Sequence, residues 1–192
     1  MKYDLSKKST IATRRMLNAV YEAIFSLLAV KAFDDISVLE LCEKSMIPRA
    51  TFYNYFDDKY DLLSYCWLIL KNHIAPAQKQ SDEEHDEIEL IMMNMVDYLD
   101  RNRTAFNRIL QHNAVNQYLF IDLRVFLVNE LIAAFSRCSN NWYSKIPFEM
   151  VARLYANTVL IVLEWKYVDK HECTKEEMLQ YLHFLINKDH LA

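Results

Sequence analysis

The 192-residue chain contains no glycine at all and three prolines. Tight hairpins need residues that tolerate positive φ, and glycine is the usual choice. A chain without it is poorly suited to a hairpin-rich sheet. The same absence excludes both common glycine-rich phosphate loops. Long hydrophobic runs are also missing: the longest clean stretch, Thr158 to Leu163, is far too short to cross a bilayer. Four cysteines (Cys42, Cys66, Cys138 and Cys173) are scattered without a C-x-x-C pair, and the N-terminus is polar rather than signal-like. A reduced, cytoplasmic protein with no membrane segment is the expectation. No nucleophile, base and orienting residue stand in a recognisable pattern. His171-x-Cys173, with His183 as a third group, lacks a fourth ligand. No catalytic site, cofactor or metal is therefore expected, and the chain is not read as an enzyme.

Hydrophobic residues make up 53% of the chain, enough for a packed core, and Leu, Met, Lys and Glu are plentiful. The fold class expected is all-α. Leu17, Val20, Tyr21, Ile24, Phe25 and Leu28 recur with helical period over residues 13–31. Ser37-Val38-Leu39-Glu40 has the form of a capping box, flanked by Ile36 and Leu41 as a hydrophobic staple. It opens a short helix ending near Lys44. Pro48 suits the first turn of a third helix running to about Phe56. Asp57 is the expected cap of a fourth, from Asp58 to about His73. The polar stretch "PAQKQSDEE" suggests a joint, giving domains 1–75 and 76–192. Ser81-Asp82-Glu83-Glu84 is another capping box, opening a helix that runs to about Arg101, and further helices are expected over about 104–111, 116–137, 147–169 and 174–187. Asn102, Asn113 and Asn140-Asn141 stand at breaks, where asparagine suits left-handed helix ends. The segment "TVLIVLEW" is apolar on every side and needs cover on every side, most simply from a second copy of the chain.

The net charge is −4, unevenly distributed: residues 1–75 hold 10 Lys and Arg against 9 Asp and Glu, and the remainder 12 against 17. Lys2, Lys7, Lys8, Arg14 and Arg15 cluster at the start, where they could neutralise phosphate. The densest feature is "IPRATFYNYFDDKYDLL". Two short helices joined by about three residues form a helix-turn-helix, whose second helix would enter a major groove by its N-terminus. Arg49, Ala50, Tyr53 and Asn54 share one face roughly 140° wide, while Phe52 and Phe56 turn toward the Leu17–Leu28 stripe. Arg49 suits a guanine edge, Asn54 an adenine, and Ala50 leaves room for a thymine methyl. Thr51, Tyr53 and Tyr55 suit phosphate or sugar, although one tyrosine could instead pack at a domain edge. Lys59 and Ser37, each at a helix start, are further candidate phosphate contacts. The competing reading of Lys59, beside Asp57, Asp58 and Asp61, is a solvated or ion-paired surface residue.

The stretch from Thr13 to about His73 resembles the N-terminal DNA-binding region of the TetR family of bacterial transcription regulators. The resemblance rests most on Thr51-Phe52-Tyr53-x-Tyr55-Phe56-x-x-Lys59, preceded by Ile36-Ser37-Val38. The C-terminal half is similar to the dihydroxyacetone-kinase-regulator-like branch, through "NRTAFNRILQHN" and "LIVLEWKYVDKHECTKEEM". The resemblance implies an N-terminal three-helix helix-turn-helix DNA-binding domain and a C-terminal helical dimerisation and ligand domain. It implies a homodimer joined through the C-terminal helices, a double-stranded pseudo-palindromic operator, and modulation by a small-molecule effector or partner. Repression is the expected outcome. The alternative is an all-α interaction or ligand-binding protein of the same fold that has lost operator binding. Two departures stand out. Met46 occupies the turn position where the family usually has glycine, and Pro48 the position of a serine or asparagine cap.

Overall fold

The computed structural model describes residues 10–75, 84–137 and 147–186. Among them are helices α1 (Ile11–Leu28), α2 (Val38–Ser45), α3 (Arg49–Tyr55), α4 (Lys59–Ile74), α5 (Glu84–Arg101), α6 (Arg103–His112), α7 (Tyr118–Arg137), α8 (Phe148–Tyr167) and α9 (Lys175–Ile186). A single 3-10 turn, Phe33–Asp35, lies between α1 and α2, and no described residue is in a strand. The all-α expectation holds. The basic residues Lys2, Lys7 and Lys8, the joint at 76–83, Cys138 and Asn140-Asn141 lie outside the described residues.

The chain forms two compact units. One comprises the described residues of Met1–Leu70 with Arg103–Ile121; the other comprises those of Lys71–Asn102 with Asp122–Ala192. The division falls inside α4 and α7, so the first unit takes in α6, a segment that composition alone assigns to the C-terminal part. In the first unit α1 packs on α2, α2 on α3, and α6 on α1. Leu17, Val20, Ala23, Ile24 and Leu28 form the buried stripe of α1, as the periodicity predicts; Tyr21 and Phe25 are half-buried and in ring contact at 4.8 Å. In the second unit α8 packs on α9, and both on α5. Met92, Met95 and Tyr155 are core residues there.

Helix starts are specified by side chains. Thr10 accepts the Thr13 amide at α1. At α2 the capping box is complete: the Glu40 amide donates to Ser37 Oγ at 3.2 Å, and the Ser37 amide to Glu40 Oε2 at 2.9 Å. Thr174 and Glu177 form the same reciprocal pair at α9. At α4 the cap is Asp58 rather than the expected Asp57. Its carboxylate accepts the amides of Tyr60 and Asp61, both at 2.9 Å, and Asp61 in turn accepts the Asp57 amide. Pro48 sits one residue before α3, in the cap position, with no side chain able to accept an amide.

Two described residues have positive φ, Met46 and Lys170. Asn102 and Asn113 do not serve this purpose. They instead donate side-chain N–H groups to backbone carbonyls one turn earlier, at Tyr98 and Ile109.

Glu40 carries an electrostatic load beyond its cap. Its Oε1 receives the Lys31 ammonium at 2.6 Å. That hydrogen bond, followed by those from the Ser37 backbone and side chain, lowers the carboxyl pKa to about 2. A carboxylate depressed on folding contributes stability above its unfolded pKa of about 4.3 and loses it as pH falls toward the folded value. The native protein should melt above Glu40→Gln at pH 7. That gap in Tm should narrow below about pH 4 and close near pH 2, as thermal melts across the pH series would show.

Candidate nucleic-acid interface

The outer surface of the first unit is organised by α3. Over about two turns the helix sorts its residues by exposure: Arg49, Tyr53, Ala50 and Asn54 are exposed, Thr51 and Tyr55 are half-buried, and Phe52 is fully buried. The expected four-residue face is therefore presented to solvent. Phe52 anchors the opposite side. Its ring lies 5.4 Å from that of Phe56, which in turn lies 5.7 Å from Tyr65. Two fully buried phenylalanines on so short a segment fix which way the polar face points; each contributes roughly 1.5–3 kcal/mol of burial. Ser37 is exposed at the start of α2, but its hydroxyl and amide are engaged with Glu40.

Two candidate phosphate contacts are placed otherwise. The Tyr55 hydroxyl lies 3.4 Å from Thr13 Oγ1, so this tyrosine bridges α3 to α1. Tyr53, 38% exposed, is the outward one and meets Phe52 edge-on at 5.6 Å. Lys59 differs more. Its ammonium donates to three backbone carbonyls, those of Phe33 (2.9 Å), Asp34 (2.8 Å) and Ile36 (2.9 Å). It also sits 4.8 Å from the Phe33 ring centre and 5.5 Å from that of Tyr60. An ammonium has three hydrogens, and all three are used within the unit. Partial withdrawal from water lowers its pKa, against the raising influence of Asp34 and Asp35. The geometry thus gives Lys59 a structural role.

Asn113, at the end of α6, is 1% exposed and completes the same bend from the other side. Its Oδ1 accepts the Phe33 amide at 2.7 Å. Its Nδ2 faces the carbonyls of Leu28 (3.3 Å), Lys31 (3.4 Å) and Ile109 (3.1 Å). The residues linking α1 to α2 thus have their polar backbone groups satisfied from two distant parts of the chain. An asparagine at a helix end carries no local signal of this duty, because its partner at Phe33 is 80 positions away.

No group of three or more His, Cys, Asp or Glu side chains among the described residues could hold a metal. His171 stacks on Trp165 at 4.3 Å, and His183 pairs with Glu89 at 2.5 Å. Desolvation raises the pKa values of Cys42, Cys66 and Cys173, which keeps these thiols protonated. In the second unit a cavity of about 40 Å³ is lined by Ile74, Ile91, Met95, Leu131 and Ala134, with the Lys71–Glu130 ion pair at 2.7 Å beside it. It has room for about one water-sized group.

Residues 20–66 match the model of bacterial regulatory proteins, tetR family. This chain has the fold of tetR-family transcriptional regulators. It is 23% identical over 158 residues to the HTH-type dhaKLM operon transcriptional activator DhaS of Lactococcus lactis, covering 82% of this chain and 81% of that protein. The solved structure of the dihydroxyacetone kinase operon activator DhaS superposes with a TM-score of 0.59 at 17% identity, covering 92% of this chain and 97% of that one. A TetR-family regulator structure from Syntrophomonas wolfei superposes with a TM-score of 0.66 at 16% identity, covering 93% and 96%.

Removing the Lys59 ammonium leaves three carbonyls without their donor. Lys59→Met should destabilise the protein by about 1–3 kcal/mol in urea unfolding, and Asn113→Ala by a similar amount. Because both side chains hold the residues around Phe33, the double variant should lose measurably less than the sum of the single losses.

Proposed function

We propose that the protein is a homodimeric, operator-binding transcription regulator of the tetR type, with α3 as its reading helix. The observation that carries this is the exposed Arg49–Ala50–Tyr53–Asn54 face, held outward by fully buried Phe52 and Phe56. A helix this polar on one face and this firmly anchored on the other suits a major groove. Arg49 forks to a guanine edge, Asn54 reads an adenine, and Ala50 accommodates a thymine methyl. Tyr53, Thr51 and the start of α2 at Ser37 lie against the backbone and set register. Lys59 is assigned to supporting the fold.

Two copies are required to read a pseudo-palindromic site. On α8, Met150, Leu154 and Ile161 are exposed at spacings of four and seven, and therefore share a face. On α9, Tyr181, Phe184 and Leu185 are exposed likewise, Phe184 at 70%. Apolar groups spaced on common helix faces mark an interface, and a second copy of the chain supplies matching surfaces by symmetry. An effector or partner acting on the second unit would shift the population of dimers whose reading helices match half-sites about one helical turn apart, or a multiple of that. Whether the outcome is repression, as the sequence suggests, or activation, as in the name of the DhaS relative, depends on where the operator lies.

Duplexes selected from a randomised pool by the full-length protein should bind with a steep loss of affinity as salt rises, measured by fluorescence anisotropy. A flat salt response, or no enrichment, would overturn the operator reading. Arg49→Ala should cost about 1–3 kcal/mol on the selected site and relax preference at one base pair, while other positions keep theirs. Phe184→Ser combined with Ile161→Ser should shift the protein toward monomer in sedimentation velocity. An unchanged dimer would move the interface elsewhere.

A further inference from the structure

We infer that Met46 is a DNA contact, inserting an apolar side chain against the groove wall beside the reading helix. The inference rests on the operator reading above. Met46 ends α2 with φ 56° and ψ 38°, in the left-handed region. Its amide and that of Ile47 close the turn onto the carbonyls of Cys42 and Glu43. Any residue can supply those amides, so the hydrogen bonding does not call for methionine. Left-handed backbone disfavours a residue with a Cβ, and an unbranched hydrocarbon chain offers no local polar compensation. Burial does not compensate either, because Met46 is 91% exposed, more than any other large hydrophobic residue in the described chain. Glycine or asparagine would form the same turn with less crowding. A long apolar side chain held at a conformational cost and offered to solvent serves something outside the folded monomer.

Position identifies what that is. Met46 stands three residues before Arg49, at the turn leading into α3, which the proposed docking carries into the groove first. Its neighbours on that approach, Arg49 and Ala50, are exposed. The thioether chain is flexible and polarisable, suited to an irregular apolar surface. In the major groove that surface is a thymine methyl, with deoxyribose edges flanking it.

The test uses the full-length protein and a duplex that it selects from a randomised pool. Met46→Gly and Met46→Asn should match or exceed the native Tm, glycine by about 2–4 °C. Both should lose about three- to tenfold in affinity for the selected duplex, while Met46→Leu keeps native affinity within about twofold. Replacing each thymine by uracil then locates the contact. A position where uracil weakens the native protein but not Met46→Gly places Met46 on that base. A loss in Met46→Gly with no such position places it on sugar, and either result supports the inference. Native affinity in Met46→Gly and Met46→Asn would overturn it while leaving the operator reading intact, as would Met46→Leu falling as far as Met46→Gly. If the native protein enriches no duplex, the operator reading fails and this inference fails with it.

Discussion

The arrangement of the first unit depends on one ammonium group seated on three carbonyls. Between α1 and α2 the chain bends through the 3-10 turn Phe33–Asp35, and the carbonyls of Phe33, Asp34 and Ile36 converge. In a glycine-containing chain such a bend can often satisfy itself by adopting left-handed geometry. Here it is satisfied by Lys59, which reaches back from the first turn of α4. Asn113 supplies the complementary acceptor for the Phe33 amide from the end of α6. Everything downstream inherits its orientation from this bend. Ser37 begins α2 directly after it, α2 leads through Met46 to α3, and α3 carries the outward face.

What could be read from the sequence was local. The Ser37–Glu40 box is a four-residue pattern, and the structure reproduces both of its hydrogen bonds. The sorting of Arg49, Ala50, Tyr53 and Asn54 from Phe52 needs only 100° per residue. The left-handed Met46 stands at the turn position where the family resemblance implies glycine. What could not be read depends on partners distant in sequence. Lys59 beside three aspartates has the appearance of a surface cation, because nothing nearby shows that carbonyls 23–26 positions earlier are aimed at it. Asn113 has the form of a helix stop, and its real partner is 80 residues away. Tyr55 and Tyr53 are chemically identical and two positions apart, and only the packing of α3 on α1 sends one hydroxyl inward to Thr13. The shift from Asp57 to Asp58 at the start of α4 is of another kind. Two adjacent aspartates both make good caps, and the choice belongs to the backbone geometry after Phe56.

Charge is unevenly distributed along the chain. The N-terminal 75 residues are nearly neutral overall, and the rest is acidic. Among the described residues near α3, Arg14, Arg15 and Arg49 are exposed. In the second unit, polar contacts tie the helices together. Tyr167 donates to the Val96 carbonyl and to Asp100, and Arg124 pairs with Glu164 while also reaching Asn157.

At the C-terminal end of α8, Lys170 holds the second left-handed corner (φ 62°) and turns the chain so that His171 lies flat on Trp165. A chain with no glycine has to make such corners from residues whose side chains crowd them. This leaves it short of the stability its architecture could reach. Natural drift toward glycine at such a corner would be favoured by folding and restrained only by whatever the side chain does, so the corners where long side chains persist are places to look for selection acting on something other than stability.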